Sequence, residues 1–184
     1  MKLSRTHRLL GAAIVLLLST IYSSWQHGYL SGGTSNDGSF AVARVVDGDT
    51  IIVHEGLKDE TIRLLGINTP ETVDPRKTVQ CFGKNASAKM HELLDGKRVI
   101  LISAEGREDR DKYNRQLRYV QLVDGTDINL FMIANGFAHE YTYGSPHPRT
   151  PEYRAAQAKA KADKIGMWAD SACAQESATR PPKH

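Results

Sequence analysis

The feature that most constrains the fold is a series of β-branched and apolar runs separated by tight turns. Residues 40–46 (FAVARVV) and 51–54 (IIVH) flank the turn 47–50 (DGDT), and this arrangement predicts a β-hairpin because Gly readily adopts the left-handed backbone of such a turn. Three further runs have the composition of strands: residues 61–65, 97–103 and 116–123. Five strands of this kind fit a small closed barrel.

Three helices are predicted among and after these strands. The first spans residues 81–94, where apolar side chains recur at helical spacing and a glycine follows the end. The second spans residues 127–135, with Asp127 as its N-terminal cap. The third spans residues 151–164 and has a proline in its first turn. The expected class is therefore α+β, a five-stranded barrel decorated with three helices.

A basic and apolar segment precedes this body. Three basic residues and no acid come before an apolar run at residues 9–22, which is the layout of a secretory signal peptide. The run is shorter than the roughly 20 residues that span a bilayer, and no clear small-x-small cleavage site follows it, so an uncleaved signal anchor competes with a cleaved peptide and a buried helix is a third interpretation. We expect residues 1–30 to direct the body out of the cytoplasm and residues 31–38 to form a flexible linker.

The net charge of the chain comes from this leader. The chain carries a formal charge of +3, and residues 37–171 hold 19 basic residues against 20 acidic ones. The composition excludes a disordered acidic tail, a collagen-like chain, a Cys-dense scaffold and a polytopic membrane protein. Affinity for a polyanion would therefore have to come from charges arranged locally, because the bulk charge of the body supplies none.

Two cysteines, Cys81 and Cys173, are present. An exported body lies in a compartment where a disulfide persists, and the pair would close a loop of about 90 residues. Such a bond would add up to roughly 4 to 5 kcal/mol in the chain-entropy description. The alternative is two unrelated buried thiols.

Three short segments carry the charged groups and oxygen ligands of a candidate site. The hairpin turn places Asp47 and Asp49 close together, where their repulsion costs energy unless a cation bridges them. Residues 63–71 (RLLGINTPE) deliver an arginine on a strand and then open into a proline-containing loop that ends in a carboxylate. Residues 109–115 (DRDKYNR) place Arg115 just before a strand. Each segment alone is typical of a solvated loop, whereas the combination is specific.

Oxygen ligands and guanidinium groups define the chemistry of these segments. Oxygen ligands without a His or Cys cluster suit a hard cation, Ca²⁺ or Mg²⁺, rather than zinc. Hydrolysis of a phosphodiester needs a base that deprotonates water, a cation that polarises a phosphoryl oxygen, and arginines that neutralise charge on the equatorial oxygens. The combination therefore points to phosphodiester hydrolysis.

The chain resembles the thermonuclease family, also called staphylococcal nuclease-like. The resemblance rests on ARVVDGDTIIV, IRLLGINTPE, the DKYNR loop, ANGFAHEYTY and the closing helix with its GMW, and it covers residues 39–171. It implies an OB-fold nuclease domain there, followed by a polar tail at residues 172–184. It also implies a calcium-dependent endonuclease that cuts DNA and RNA and leaves 3′-phosphate ends. We expect a monomer for which single-stranded or frayed substrate is easiest to bind.

The resemblance assigns the calcium ligands. Asp49 would supply a carboxylate, and Thr69 would complete the site through its backbone carbonyl. Asn68 stands where the best-known family pattern has an aspartate ligand. Because an amide oxygen coordinates Ca²⁺ without formal charge, a higher calcium requirement is expected.

The resemblance also assigns the residues that would act on the substrate. Arg63 and Arg115 correspond to the two catalytic arginines, and Glu71 to the general base for the attacking water. Tyr141 and Tyr143 correspond to tyrosines that line the nucleotide pocket, where an aromatic ring can stack on a base.

Two functions follow from these assignments. The first is a nuclease that is secreted, periplasmic or membrane-anchored and acts outside the cytoplasm. The alternative is a non-catalytic OB-fold module that binds single-stranded nucleic acid or protein. The set of Arg63, Glu71 and Arg115 favours the enzyme, because a binding module has no use for a base beside a metal.

Overall fold

The computed structural model describes residues 38–72, 80–142 and 144–173 of the chain. The leader predicted at residues 1–30, nearly all of the linker at 31–38 and the tail beyond residue 173 lie outside these described residues, as does Tyr143. Within the described ranges, no helix is both long enough and apolar enough to cross a membrane.

Five strands close a barrel, and two very short strands pair beside it. The strands are β1 (Phe40–Val45), β2 (Thr50–Glu55), β3 (Lys58–Leu64), β4 (Ile67–Asn68), β5 (Arg98–Ile102), β6 (Gln116–Leu122) and β7 (His139–Glu140). The barrel order is β1-β2-β3-β6-β5, and β1 closes it by pairing with β5. Only the β3–β6 pair within the barrel is parallel. The closed five-stranded barrel confirms the predicted OB-fold.

The three predicted helices are present, with bounds that differ from the predicted ones by two residues or fewer. They are α1 (Gly83–Leu94), α2 (Ile128–Ala134) and α3 (Thr150–Ala162), followed by a 3₁₀ turn at Gly166–Trp168. The Asp127 side chain caps α2 by accepting a hydrogen bond from the Leu130 N–H, as predicted. The first helix starts at Gly83 rather than at residue 81, because Phe82 has a left-handed backbone with φ of 67°.

The core lies between the barrel and the three helices. Alternate residues of β2, Ile51 and Val53, are fully buried, as are Met90 of α1, Met132 of α2 and Tyr153 of α3. This alternation is what a strand with one face on a core requires. The helices therefore cover the barrel and leave its β1–β2 turn available for a site.

A sharp turn carries the chain out of the barrel after β3. Gly66 has φ of 79°, and a Cβ atom added there would lie 2.3 Å from the Nε2 atom of His147. Only glycine satisfies both the left-handed backbone and this close approach. The turn leads directly into β4, whose residue Asn68 pairs with His139 of β7. The β4–β7 pair therefore holds the segment that follows β3 against residues 139–140.

The two cysteines form the expected disulfide. Cys81 and Cys173 are bonded, with their Cα atoms 5.7 Å apart. The alternative interpretation, two unrelated buried thiols, is therefore wrong. The bond joins a residue two positions before α1 to the end of the described chain.

Candidate active site

A polar cleft of about 170 Å³ opens beside the β1–β2 turn. Its lining consists of Asp47, Asp49, Arg63, Asn68, Thr69, Pro70, Glu71, Thr72 and Arg115. These residues come from the hairpin turn, from β3 and the loop that follows it, and from the residue before β6. The three segments singled out in the sequence are thus brought to one place.

Asp49 is a buried carboxylate at the centre of the cleft. Its Oδ2 atom accepts hydrogen bonds from the Thr69 N–H at 2.9 Å and the Thr69 hydroxyl at 3.2 Å, and it lies 3.0 Å from an Nη atom of Arg63. Its Oδ1 atom accepts from the Thr50 hydroxyl. A Cβ at Gly48 would lie 2.8 Å from the Thr69 side chain, so glycine there lets the loop approach the turn.

Sheet register places Arg63 beside Asp49. Arg63 on β3 is the antiparallel partner of Thr50, the residue after Asp49. Its Nη1 atom donates to the carbonyls of Leu64 and Ile67 at 2.7 and 2.9 Å, while Nη2 donates to the Asn68 amide oxygen at 3.3 Å. With these bonds and only 12% of its side chain exposed, the guanidinium group has one fixed orientation.

Asp47 lies beside Asp49, as the spacing of the DGDT turn predicts, although the family resemblance assigned only Asp49, Asn68 and Thr69 as calcium ligands. It lines the cleft, and its Oδ1 atom accepts a hydrogen bond from the Asp49 N–H at 3.0 Å. Burial, followed by the negative charge of Asp49, raises the pKa of Asp47 to about 6. The spacing of the two carboxylates in the DGDT turn was the available signal. A cation between them would relieve the repulsion that raises this pKa.

Glu71 is held by its own loop and by the residue that precedes the disulfide. One of its carboxylate oxygens accepts the Thr72 N–H at 3.0 Å. Its main chain is bracketed by Gln80: the Glu71 N–H donates to Gln80 Oε1 at 3.0 Å, and the Gln80 N–H donates to the Glu71 carbonyl at 2.8 Å. This role of Gln80 was not predicted, because no local pattern marks a contact between residues nine positions apart.

Arg115 is oriented by Asp111 of the same loop. The Asp111 Oδ2 atom accepts from Arg115 Nε at 2.8 Å and lies 2.7 Å from its Nη2 atom. Asp111 Oδ1 accepts the backbone N–H groups of Tyr113 and Arg115. Burial raises the pKa of Asp111, but these hydrogen bonds outweigh burial and hold its pKa below the ordinary range. Asp111 was not predicted, although it lies within the charged DRDKYNR segment.

The predicted substrate tyrosines are only partly described. Tyr141 is 49% exposed, and its N–H donates to the carbonyl of Gly66 at 2.9 Å, which ties it to the turn after β3. It does not belong to the residues that line the cleft. Tyr143 lies outside the described residues.

The donor set of the cleft fits a hard cation. Asp47, Asp49, Asn68 and Thr69 offer only oxygen atoms, which is the ligand type that Ca²⁺ takes. In the described ranges, no group of three or more His, Cys, Asp or Glu side chains could hold a metal ion. A cation here would therefore rely on amide and carbonyl oxygens and water in addition to the two aspartates.

Comparisons with known proteins show which sequences this chain is similar to. The family model described as staphylococcal nuclease homologue matches residues 61–170. A thermonuclease of Staphylococcus intermedius is 40% identical over 134 residues, which cover 71% of this chain and 76% of the relative. A thermonuclease of Staphylococcus hyicus is 32% identical over 173 residues, 92% of this chain and the whole relative. The endonuclease YncB of Bacillus subtilis is 37% identical over 130 residues, 70% of this chain and 60% of the relative.

Proposed function

The chain belongs to the staphylococcal nuclease family, and from this premise we propose that it is a calcium-dependent nuclease that cuts within DNA and RNA and leaves 3′-phosphate ends. The observation that carries the proposal is the meeting of Asp49, Arg63, Glu71 and Arg115 in one cleft. A carboxylate base, a carboxylate ligand and two guanidinium groups are the parts that phosphodiester hydrolysis needs.

Asp49, Asn68 and the Thr69 carbonyl would hold the calcium ion, with Asp47 adding negative charge beside them. When bound, Ca²⁺ would act as a Lewis acid that polarises a phosphoryl oxygen of the scissile phosphate. Asn68 contributes no formal charge, and we therefore expect weaker calcium binding than with aspartate at this position.

Glu71 would accept the proton of the attacking water. Its hydrogen bond from the Thr72 N–H and the two main-chain bonds to Gln80 orient the carboxylate toward the cleft that it lines. Because the nucleophile is water and not a ribose hydroxyl, the mechanism does not depend on the sugar. The same site would thus hydrolyse DNA and RNA.

Arg63 and Arg115 would neutralise the negative charge that builds on the phosphoryl oxygens. A guanidinium group can make two parallel hydrogen bonds to such oxygens, and these strengthen as charge develops. Arg63 is oriented by two backbone carbonyls and by Asp49, whereas Arg115 is oriented by Asp111 and lies over the ring of Tyr113. The two arginines would contact the phosphate from different segments of the chain.

Tyr141 and Tyr143 would bind the nucleotide by stacking on a base, worth about 1 to 3 kcal/mol for each stacked base. Stacking requires that the base leave its helix, so single-stranded or frayed substrate would bind most easily. We also propose that residues 39–171 act as a monomeric domain outside the cytoplasm, secreted, periplasmic or anchored through residues 1–30. The Cys81–Cys173 bond supports an oxidising compartment.

The test is nuclease activity on single-stranded DNA and RNA with Ca²⁺ or with EGTA. Wild type is compared with Glu71→Ala and Arg63→Ala, and with His54→Ala as a control, because His54 pairs with Asp59 on the exposed surface. We expect calcium-dependent cleavage that both cleft variants lose and the control keeps, with 3′-phosphate ends on the products. Activity that survives both cleft substitutions would contradict the mechanism.

A further inference from the structure

The start of α1 packs directly on the loop that carries Glu71. A Cβ atom added at Gly83 would lie 2.9 Å from the Pro70 carbonyl oxygen and 3.1 Å from that of Glu71. Gln80, three residues earlier, makes the two main-chain hydrogen bonds that bracket Glu71. The position of Glu71 is therefore set in part by residues 80–83, in addition to the contact of Thr69 with Asp49 on the barrel side.

The Cys81–Cys173 disulfide restrains the segment at residues 80–83. Cys81 follows Gln80 and is bonded to Cys173, 92 residues along the chain. The segment before Cys173 is itself attached to the domain, since the Met167 N–H donates to the Gly136 carbonyl, and a turn bond from the Ala172 N–H to the Ala169 carbonyl orders its last residues. Gln80 is thus tied, through its neighbour Cys81, to the segment that ends at Cys173, and that segment is hydrogen-bonded to Gly136 just beyond α2.

We propose that Gln80 is a positioning residue for Glu71 and that the Cys81–Cys173 disulfide holds Gln80 in place, so that cleavage depends on the oxidised bond. The proposal rests on the proposed function of Glu71 as general base. Gln80 is exposed, so water competes for both of its hydrogen bonds once the covalent tether is lost.

Loss of the tether is a two-electron reduction. A dithiol reagent attacks the disulfide through its thiolate, the Cys81–Cys173 bond breaks, and the reagent closes to its own cyclic disulfide. The enzyme gains two electrons and two protons and carries two thiols. The barrel contacts of Asp49 and Arg63 involve neither cysteine, so reduction should act on the base and not on the cation side of the cleft.

The first experiment separates positioning from stability at Gln80. Gln80→Ala removes the acceptor of the Glu71 N–H, and we expect kcat to fall about 10-fold or more with little change in KM. Gln80→Glu keeps an acceptor oxygen at the same reach and should restore kcat. Gln121→Ala is the matched control, because Gln121 also bonds a backbone group, the Gly125 carbonyl, outside the cleft. A kcat within about twofold of wild type in Gln80→Ala, or no rescue by Gln80→Glu, would overturn the proposal.

The second experiment tests the disulfide. Dithiol-treated wild type and the double variant Cys81→Ser with Cys173→Ser are assayed at a temperature where near-UV circular dichroism shows both to be folded. We expect each to lose kcat by about the factor seen for Gln80→Ala, and Gln80→Ala to lose little more on reduction, because both changes act on one contact. Full kcat in a reduced, folded enzyme would refute the dependence on the bond.

A third measurement does not require activity. Amide hydrogen exchange at Glu71 should be slow in the oxidised wild type and faster in Gln80→Ala and in the reduced protein, because the Gln80 oxygen accepts that N–H. Equal exchange in all three would overturn the proposal. Absence of calcium-dependent cleavage in the oxidised wild type would instead refute the proposed function, and the exchange data would still decide whether Gln80 and the disulfide position Glu71.

Discussion

The two halves of the cleft are built in different ways. The barrel half consists of Asp47, Asp49 and Arg63, which lie on the β1–β2 turn and on β3. The loop half consists of Glu71 and Arg115, which lie on irregular segments. The Arg63–Asp49 pair has side chains only 12% and 9% exposed, whereas Arg115 and its partner Asp111 are 29% and 18% exposed.

This difference separates the residues that the fold needs from the residues that only the reaction needs. In the barrel half, strand register and buried hydrogen bonds hold the charged groups, so a change there removes both stability and chemistry. In the loop half, local hydrogen bonds hold the charged groups near the surface, so a change there should remove chemistry alone. The following predictions test that separation.

The largest effect is expected in the loop half at Glu71. Glu71→Gln keeps the shape of the side chain but removes the base, and kcat should fall by about 10² to 10⁴-fold. The free energy of unfolding should stay within roughly 0.5 kcal/mol of wild type, because Glu71 is only partly buried and the amide oxygen of glutamine can still accept the Thr72 N–H. Steady-state kinetics and urea unfolding of the same preparations check both values. A large loss of stability would show that the loop half also supports the fold.

The two arginines should differ in their effect on stability. In EGTA, Arg63→Ala leaves the buried Asp49 carboxylate without its ion pair, which should cost about 3 kcal/mol. Arg115→Ala removes a more exposed pair with Asp111 and should cost under about 1 kcal/mol. Both variants should lose cleavage. The free energies of unfolding of the two variants are compared by urea unfolding. Equal losses of stability would contradict the distinction between the barrel half and the loop half.

A smaller effect is expected at Asn68, at the edge of the barrel half. Asn68→Asp adds a negative charge to the oxygen donors of the cleft, and the calcium concentration for half-maximal activity should fall, by about 10-fold. Asn85→Asp on the exposed face of α1 adds the same charge outside the cleft and serves as the control. Calcium titrations at constant ionic strength provide the measurement. An equal or higher calcium requirement in Asn68→Asp would contradict the assignment of this residue as a ligand.

The smallest effect is expected at His147, which should make the free energy of unfolding depend on pH. His147 is buried against Gly66, and its Nδ1 atom lies 2.8 Å from the Tyr119 hydroxyl. Burial lowers its pKa; Glu140 raises it in part, and nearby arginines lower it again.

Because the folded state resists protonation of His147, its stabilising effect is present above the unfolded pKa of about 6.5 and is lost as the pH falls below that value. His147→Gln should flatten this loss, while His91→Gln on the exposed face of α1 should not. Urea unfolding between pH 5 and 8 is the measurement. An unchanged pH slope in His147→Gln would show that the barrel half has no such sensitivity.

The sequence predicted the barrel half better than the loop half, and the reason is physical. The spacing of the DGDT turn alone places Asp47 beside Asp49, and the antiparallel register of the adjacent strands then sets Arg63 opposite Thr50, the residue after Asp49. The contacts of Gln80 with Glu71 depend on how the start of α1 packs, and no local pattern encodes that packing. The raised pKa of Asp47 was likewise not predicted, because burial is its largest cause.

The secondary structure was likewise predicted only where the sequence has a local pattern. Strands with alternating buried residues were predicted to within a few positions, since periodicity reports burial directly. The two-residue strands β4 and β7 carry no periodicity and were not predicted, nor was the left-handed backbone at Phe82 that delays α1. The disulfide was predicted from the expected compartment and is present. The roles of the leader at residues 1–30 and of Tyr143 stay predictions.

The parallel pairing of β3 with β6 has a consequence for the order of folding. Arg63 lies opposite Leu117 in this pair, so Arg115 approaches Arg63 only when two segments more than 50 residues apart have joined. Contacts of such long range form slowly, because loop closure must be completed before they contribute. Assembly of the cleft therefore requires this long-range pairing, and a chain in which β3 and β6 have not yet joined holds the two arginines apart. A chain that leaves its cell of origin before it folds would carry no assembled hydrolytic centre on the way.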